Sequence, residues 1–261
     1  SGKKAVQALV DIYSSWISHD KIITTNVWSS ELSKLASNAM LAQRISSINS
    51  LSAICEKTGA DTIEVSKAVG LDHRIGSYFL SPSPGFGGSC FQKDILNLVY
   101  LCEFYGLKEV AEFWHQVIKI NNYQRMRIVE KVESLFIKNK KGRITILGWA
   151  FKKNTNDSRE SSSIYISHSL LNKGYELNIY DPKVTNDRIL DDLDKLNKME
   201  NNIDNPSFSD KVHICNSLSE SINETDVILI LTEWDEFKTF KTDSKVIDTR
   251  NIYNGNKYFK L

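Results

Sequence analysis

The hydrophobic period of the chain changes once, at the basic link Lys138-Asn139-Lys140-Lys141-Gly142, and that change limits the fold more than any other feature. Before the link, apolar residues recur every three or four positions, the period of a buried helix face. After it, short β-branched or aliphatic runs predict strands at Arg143 to Leu147, Leu177 to Tyr180, Val212 to Cys215, Val227 to Leu231 and Val246 to Ile247. Helical stretches separate most of these runs, so the strands are expected to lie parallel in a doubly wound sheet. The expected class is α/β, with an all-helical region followed by a parallel sheet flanked by helices. Between Pro182 and Asp210, a stretch rich in Asn, Asp and Lys predicts a surface helix and a loop.

Within the helical half, Val6, Leu9, Val10, Tyr13 and Ile17 share one helical stripe, and Lys21 to Thr25 predicts a short strand. A strand needs a partner for its backbone groups, so this one is expected to complete a sheet lying upstream of the chain. A helix opens at Ser29-Ser30-Glu31 and runs through Ile45, a second covers Ser47 to Lys57, and a third begins at Asp61. The stretch Ser81-Pro82-Ser83-Pro84-Gly85-Phe86-Gly87-Gly88 breaks the helical pattern, which resumes at about Cys90. From Leu107 to Phe136, Val110, Phe113, Trp114, Val117, Ile128 and Val132 predict a helix of about 45 Å if unbroken. Such a helix suits a spine between domains, a dimer interface or an ordinary bundle, and periodicity alone does not choose.

Charge narrows the partners. Lysine and arginine total 33 against 32 acidic residues, which argues against the basic footprint of a nucleic-acid or anionic-membrane binder. No apolar run is long enough to span a membrane, and Ser1 to Val6 has no signal-peptide core. Cys55, Cys90, Cys102 and Cys215 are scattered, with neither a CxxC pair nor ligand-spaced histidines. The expectation is a reduced, cytoplasmic protein without a bound metal.

Three segments carry chemistry. In Gly85-Phe86-Gly87-Gly88-Ser89-Cys90-Phe91-Gln92-Lys93-Asp94, glycines permit close backbone approach, and Cys90 stands at a helix start where amides favour a thiolate. Asp94, four residues on, shares its helix face and can serve as base or water-positioner. A cysteine after glycines is also a common structural feature. Lys34 and Asn38 are one helical turn apart beside an apolar stripe; they make either a solvated edge or a pair of oxyanion donors. The third segment, Gly148 to Ser163, follows the first strand of the sheet, where doubly wound folds bind ligands. It has one glycine followed by Lys152, Lys153 and Arg159, which suits side-chain capture of phosphate better than a backbone cradle. Asp181, at the end of the next strand, stands where such folds read a ribose; in Asp181-Pro182 it is equally a turn cap.

Taken in order, these segments resemble the UDP-glucose/GDP-mannose dehydrogenase family. Gly87-Gly88-Ser89-Cys90-Phe91-Gln92-Lys93-Asp94 is similar to its active-site signature, in the Phe-Gln form of the eukaryotic UDP-glucose 6-dehydrogenases. Trp28 to Ala36, Leu41 to Asn49, Ser158 to Ser163 and Thr232-Glu233-Trp234 resemble the same group. The resemblance implies oxidation of the C6 hydroxymethyl of UDP-glucose to a carboxylate in two NAD-dependent hydride transfers. By the same resemblance Cys90 forms the thiohemiacetal and thioester, Lys34 and Asn38 stabilise the oxyanion, and Asp94 orders or deprotonates the water. Substrate contacts carry over to Lys34, Asn38, Arg74, Ser81, Gly85, Phe86, Gly87, Phe151, Lys152 and Arg250; Arg74 serves a neighbouring subunit, which implies a homodimer. Cofactor contacts carry over to Cys90, Phe91, Gln92, Lys93 and Arg159. Ser81 departs from the lysine that the family often has there.

The resemblance also divides the chain. Residues 1–26 are expected to be the last helix and strand of an NAD-binding domain, 27–137 a central helical dimerisation domain, and 138–261 a Rossmann-like UDP-binding domain. The rest of the NAD-binding domain is absent from the sequence, so this polypeptide alone is expected to be inactive. Rival readings are a dehydrogenase of a UDP-N-acetyl sugar or of GDP-mannose, and a non-catalytic dimerisation module.

Overall fold

The computed structural model describes residues 2–136, 141–200 and 208–261; the expected link at 138–140 and the Asn-rich loop at 201–207 lie outside the described residues. The first half is helical: α1 (Lys3–Tyr13), a 3₁₀ turn at His19–Lys21, α2 (Val27–Thr58), α3 (Thr62–Gly70), α4 (Phe91–Phe104) and α5 (Lys108–Glu133). The expected strand at Lys21 to Thr25 is not formed. Lys21 closes the 3₁₀ turn and residues 22–26 join no ladder, because β-branched side chains favour extended backbone but supply no partner edge.

The two helices expected between Ser29 and Lys57 are one helix of 32 residues. Asn26 caps it, accepting from the Ser29 amide at 2.8 Å, and Gly59 ends it in the left-handed conformation at φ 78°. Ser46 Oγ donates to the Val117 carbonyl at 2.8 Å, outside its own helix, and Ser50 Oγ folds back on the Ser47 carbonyl at 2.7 Å, so neither hydroxyl breaks the helix.

The sheet has order β3-β2-β1-β4-β5-β6, with every neighbouring pair parallel. Its strands are β1 (Arg143–Leu147), β2 (Glu176–Tyr180), β3 (Val212–Ile214), β4 (Val227–Ile230), β5 (Lys245–Asp248) and β6 (Phe259–Lys260). The last has two residues, too few for periodicity to show it in the sequence. Helices α6 (Ser162–Asn172), α7 (Asn186–Glu200) and the short α8 (Leu218–Ser221) make crossovers. Ile144 of β1 pairs with Leu177 on one side and Val227 on the other, so the chain reverses direction at β1 and opens a crevice at the carboxyl ends of β1 and β4.

Helix α5 joins two cores. Ala111, Val117 and Ile118 pack with Ala39, Ala42, Ile95, Leu98 and Val99 of α2 and α4. One end further along, Ile128, Val129 and Val132 enter the sheet core with Ile144, Ile146 and Leu170. At 26 residues the helix is about 39 Å long, and it packs into both cores as a spine, one of the three uses its periodicity left open. Glu56 near the end of α2 accepts from Arg127 Nε at 3.0 Å and Lys131 Nζ at 2.9 Å, tying the two long helices together. Among the described residues no helix is long and apolar enough to cross a membrane.

Candidate active site

The segment from Ser81 to Gly88 forms no regular structure, so side chains of the neighbouring helices meet its backbone groups. Asn49 Oδ1 accepts from the Ser83 amide at 2.9 Å, and Gln124 Nε2 donates to the Ser83 carbonyl at 2.9 Å. Asn121 reads both sides of Phe86, accepting from its amide at 2.8 Å and donating to its carbonyl at 3.2 Å. The Phe86 side chain is buried and meets Phe91 edge-on at 6.0 Å. Phe86 therefore anchors the loop. The sheet half closes it from the other side, where the Gly88 amide donates to the Arg159 carbonyl at 2.8 Å.

That anchoring delivers Cys90 to the N-cap of α4. Its thiol is exposed, 3.5 Å from Ser89 Oγ, whereas Cys55, Cys102 and Cys215 are buried. One turn on, the Asp94 side chain is only 4% exposed. Lys34 and Asn38, one turn apart on α2, both donate to the same Asp94 oxygen, Asn38 at 2.6 Å. Spacing alone left these two residues between a solvated edge and a donor pair; the fold turns them onto the carboxylate beside the cysteine. Burial works against ionised Asp94, but the hydrogen bonds from Lys34 and Asn38 and the lysine charge outweigh it and hold the carboxyl below its usual range. The bond to Asp94 in turn raises Lys34, opposed by slight burial and helped by the Asp94 charge and by the Cys90 sulfur nearby.

A second set of groups lies at the carboxyl edge of the sheet. Gly148, at φ 100°, lets the chain leave β1 where a Cβ would stand 2.4 Å from Thr232. Asp181 then gathers the turn: Oδ2 accepts from the amides of Trp149 at 2.6 Å and Ala150 at 2.9 Å and from the Trp234 indole at 3.1 Å. Its other oxygen accepts from Lys183 and Val184. Asp181 is thus the cap of a buried turn, with its acceptors taken by the chain. Arg250 comes from the end of β5, donating to the Leu231 and Phe151 carbonyls at 2.8 and 3.2 Å and pairing with Glu233 at 3.2 Å. Lys152 lies exposed beside the Phe151 ring.

Ser89, Gln92, Lys93 and Leu96 line a cleft of about 400 Å³ together with Arg159 and Glu160 of the loop after β1. Arg159 is 60% exposed and doubly bonded to Asp157. Ser81 is exposed at the start of the loop. Arg74 lies outside this cluster, after α3, with its exposed guanidinium held by Asp72 at 2.6 Å. The groups missed in the sequence are Asn49, Asn121, Gln124 and Arg125, all buried and all holding the cysteine loop. Asn121 and Arg125 fall in the apolar phase of α5, with Ile118, Ile128 and Val132, and a polar residue in that phase signals a buried partner. Elsewhere, His213 of β3, Cys215 just past its end and Glu220 of α8 bring donor atoms within 4.8 Å of one another. The Glu220 oxygens there already accept from His213 and the Asn216 amide, and burial pushes the Cys215 thiol up to about 11.

Comparison with known proteins agrees across both halves. Residues 28–123 match the central domain of the UDP-glucose/GDP-mannose dehydrogenase family and residues 145–255 its UDP binding domain. The chain is 52% identical over 260 residues to a UDP-glucose 6-dehydrogenase of Gallus gallus, covering 98% of this chain and 52% of that protein. It is 49% identical to UDP-glucose 6-dehydrogenase 4 of Oryza sativa subsp. japonica, again over 98% of the chain and 56% of the relative. A solved UDP-glucose dehydrogenase from Pyrobaculum islandicum superposes with a TM-score of 0.82 at 27% identity, over 97% of this chain and 54% of that one. The chain therefore spans about half the length of the curated relatives it matches.

Proposed function

The chain belongs to the UDP-glucose/GDP-mannose dehydrogenase family, and from that premise we propose that it forms the sugar-binding and cysteine-bearing part of a UDP-glucose 6-dehydrogenase. The observation that carries the reading is the exposed Cys90 one turn before a buried Asp94 that collects Lys34 and Asn38, on a loop fastened to the UDP-binding half. The nucleotide lies along the sheet edge against Phe151, Lys152 and Arg250. Gly85 to Gly87 border the sugar, whose C6 faces Cys90; Ser81 replaces a cationic phosphate contact with a hydroxyl.

The chemistry requires a nucleophile because an aldehyde has no alkoxide from which a second hydride readily leaves. Cys90 adds as thiolate to the C6 aldehyde and forms a thiohemiacetal. Lys34 and Asn38 turn from Asp94 to the new oxyanion, each such donor lowering the barrier by about 3 kcal/mol. Loss of hydride leaves a thioester on Cys90. Asp94, released from its two donors, positions the water that expels the thiolate and yields the acid. NAD, when bound, accepts the two hydrides. The residues present fit one end of that dinucleotide: Gln92, Lys93 and Arg159 offer donors and positive charge on the rim of the cleft beside Cys90, and among the described residues no glycine-rich turn cradles a pyrophosphate.

Arg74, 77% exposed, serves the site of a second copy in a homodimer. Residues 27–137 then form the central helical domain and 138–261 the UDP-binding domain. Titration calorimetry tests the substrate: UDP-glucose is expected to bind more tightly than a UDP-N-acetyl sugar or GDP-mannose, and a reversed order would assign the site to the rival dehydrogenases. A non-catalytic module predicts no preference among the three nucleotide sugars. On its own this polypeptide is expected to give no steady UDP-glucose-dependent NADH; measurable turnover would show that its own residues suffice for cofactor binding.

A further inference from the structure

Arg125, in the middle of the spine helix, is 1% exposed, and neutral oxygens meet its charge. Nη2 donates to the carbonyls of Phe86 at 3.0 Å and Glu160 at 3.1 Å, Nε to Ser162 Oγ at 3.2 Å, and Nη1 to Asn122 Oδ1 at 3.2 Å. Its guanidinium stacks 4.0 Å over the Tyr165 ring, and the Tyr165 hydroxyl donates to the Glu160 carboxylate at 2.5 Å. One group of Arg125 thus bridges the cysteine loop and the loop that follows β1. Both loops are tightly constrained there. Glu160 adopts φ 54°, a left-handed conformation that a non-glycine residue keeps only where its surroundings impose it. A Cβ on Gly85 would stand 2.7 Å from Asn121 Oδ1 and 2.9 Å from Ser162 Oγ. A buried cation tolerates no lost acceptor, so moving either loop alone strands a donor.

We propose that Arg125 is a positioning residue that makes these two loops move as one unit, so that a nucleotide seated on the sheet edge changes the reactivity of Cys90. The nucleotide part rests on the proposed function; the locking of the loops does not. A lysine at 125 keeps the charge, but a single ammonium cannot span acceptors that the planar guanidinium reaches in two directions.

Hydrogen exchange read by mass spectrometry tests the lock in wild type, Arg125→Lys and Tyr165→Phe. In Arg125→Lys, amides in 85–89 and 158–162 are expected to lose protection together, by about tenfold, while β1 and β4 keep theirs. Tyr165→Phe removes only the hydroxyl on Glu160 and is expected to loosen both loops by a smaller factor; it decides the question if Arg125→Lys loosens the sheet as well. One loop loosening without the other overturns the proposal. UDP, which lacks the sugar and cannot shield the thiol, tests the coupling: it is expected to change the alkylation rate of Cys90 about threefold in wild type and not in Arg125→Lys. UDP that binds by calorimetry yet leaves wild-type Cys90 unchanged, or shifts both proteins equally, overturns the coupling. UDP that fails to bind sinks the functional reading instead, and the lock then stands or falls on exchange alone.

Discussion

The two ends of the site are built differently. At the sheet edge, Asp181 has both oxygens committed to five donors, and Arg250 gives Nε and Nη2 to two carbonyls and Glu233. At the cysteine end, one carboxylate oxygen takes both Lys34 and Asn38, the lysine is 58% exposed, and the thiol faces outward. The first arrangement is closed by its own hydrogen bonds; the second holds two donors on a carboxylate they can leave. In the proposed reaction the nucleotide is a constant ligand that rewards a fixed seat, whereas C6 would pass through alcohol, aldehyde, thioester and acid and would need donors that change partners.

Substitutions at the two ends should therefore differ in kind, with stability lost at the sheet edge and chemistry at the cysteine. The largest effect is expected for Asp181→Ala, which strands five donors in a buried turn and should cost about 4 kcal/mol in denaturant unfolding. A loss below about 1 kcal/mol would erase the contrast. Arg250→Ala should weaken UDP binding by about thirtyfold, or about 2 kcal/mol, by calorimetry. Asp94→Asn should cost about 1 kcal/mol at neutral pH. Its pH dependence is more telling. Because the Asp94 carboxyl is held below its usual range, its contribution is present above that range and is lost as pH falls through the depressed value; Asp94→Asn should flatten this acid limb. Lys34 is raised, so its contribution is present below the usual lysine value and is lost as pH climbs through the raised one. The smallest change in stability, within about 0.5 kcal/mol, is expected for Cys90→Ser, since the side chain is exposed.

The same contrast explains what the sequence disclosed. The sheet was legible because parallel strands buried on both faces write continuous apolar runs, as Val227 to Ile230 does. Its order was not, since nothing local records which strand β1 pairs with. Cys90 and Asp94 could be placed together because four residues make a helical turn. Their partnership with Lys34 and Asn38 spans 60 and 56 positions, and only the packing of α4 on α2 creates it. The strand expected at Lys21 to Thr25 was assigned a partner edge outside this chain and joins no ladder within it; the break expected near Ser46 failed because propensity does not record the Val117 carbonyl that takes the serine hydroxyl. Arg125 was overlooked because long charged residues on helices usually reach solvent, and its phase among Ile118, Ile128 and Val132 was the available sign.

Alkylation by iodoacetamide, mapped to individual cysteines with and without UDP-glucose, bears most directly on the role of Cys90. Burial pushes the thiols of Cys102 and Cys215 upward, the latter to about 11, and Cys55 is enclosed, so none of the three should compete. Cys90 is expected to react fastest of the four and to be protected by saturating UDP-glucose. Equal labelling of a buried cysteine, or a Cys90 rate untouched by bound UDP-glucose, would place the sugar's C6 elsewhere and contradict the assignment.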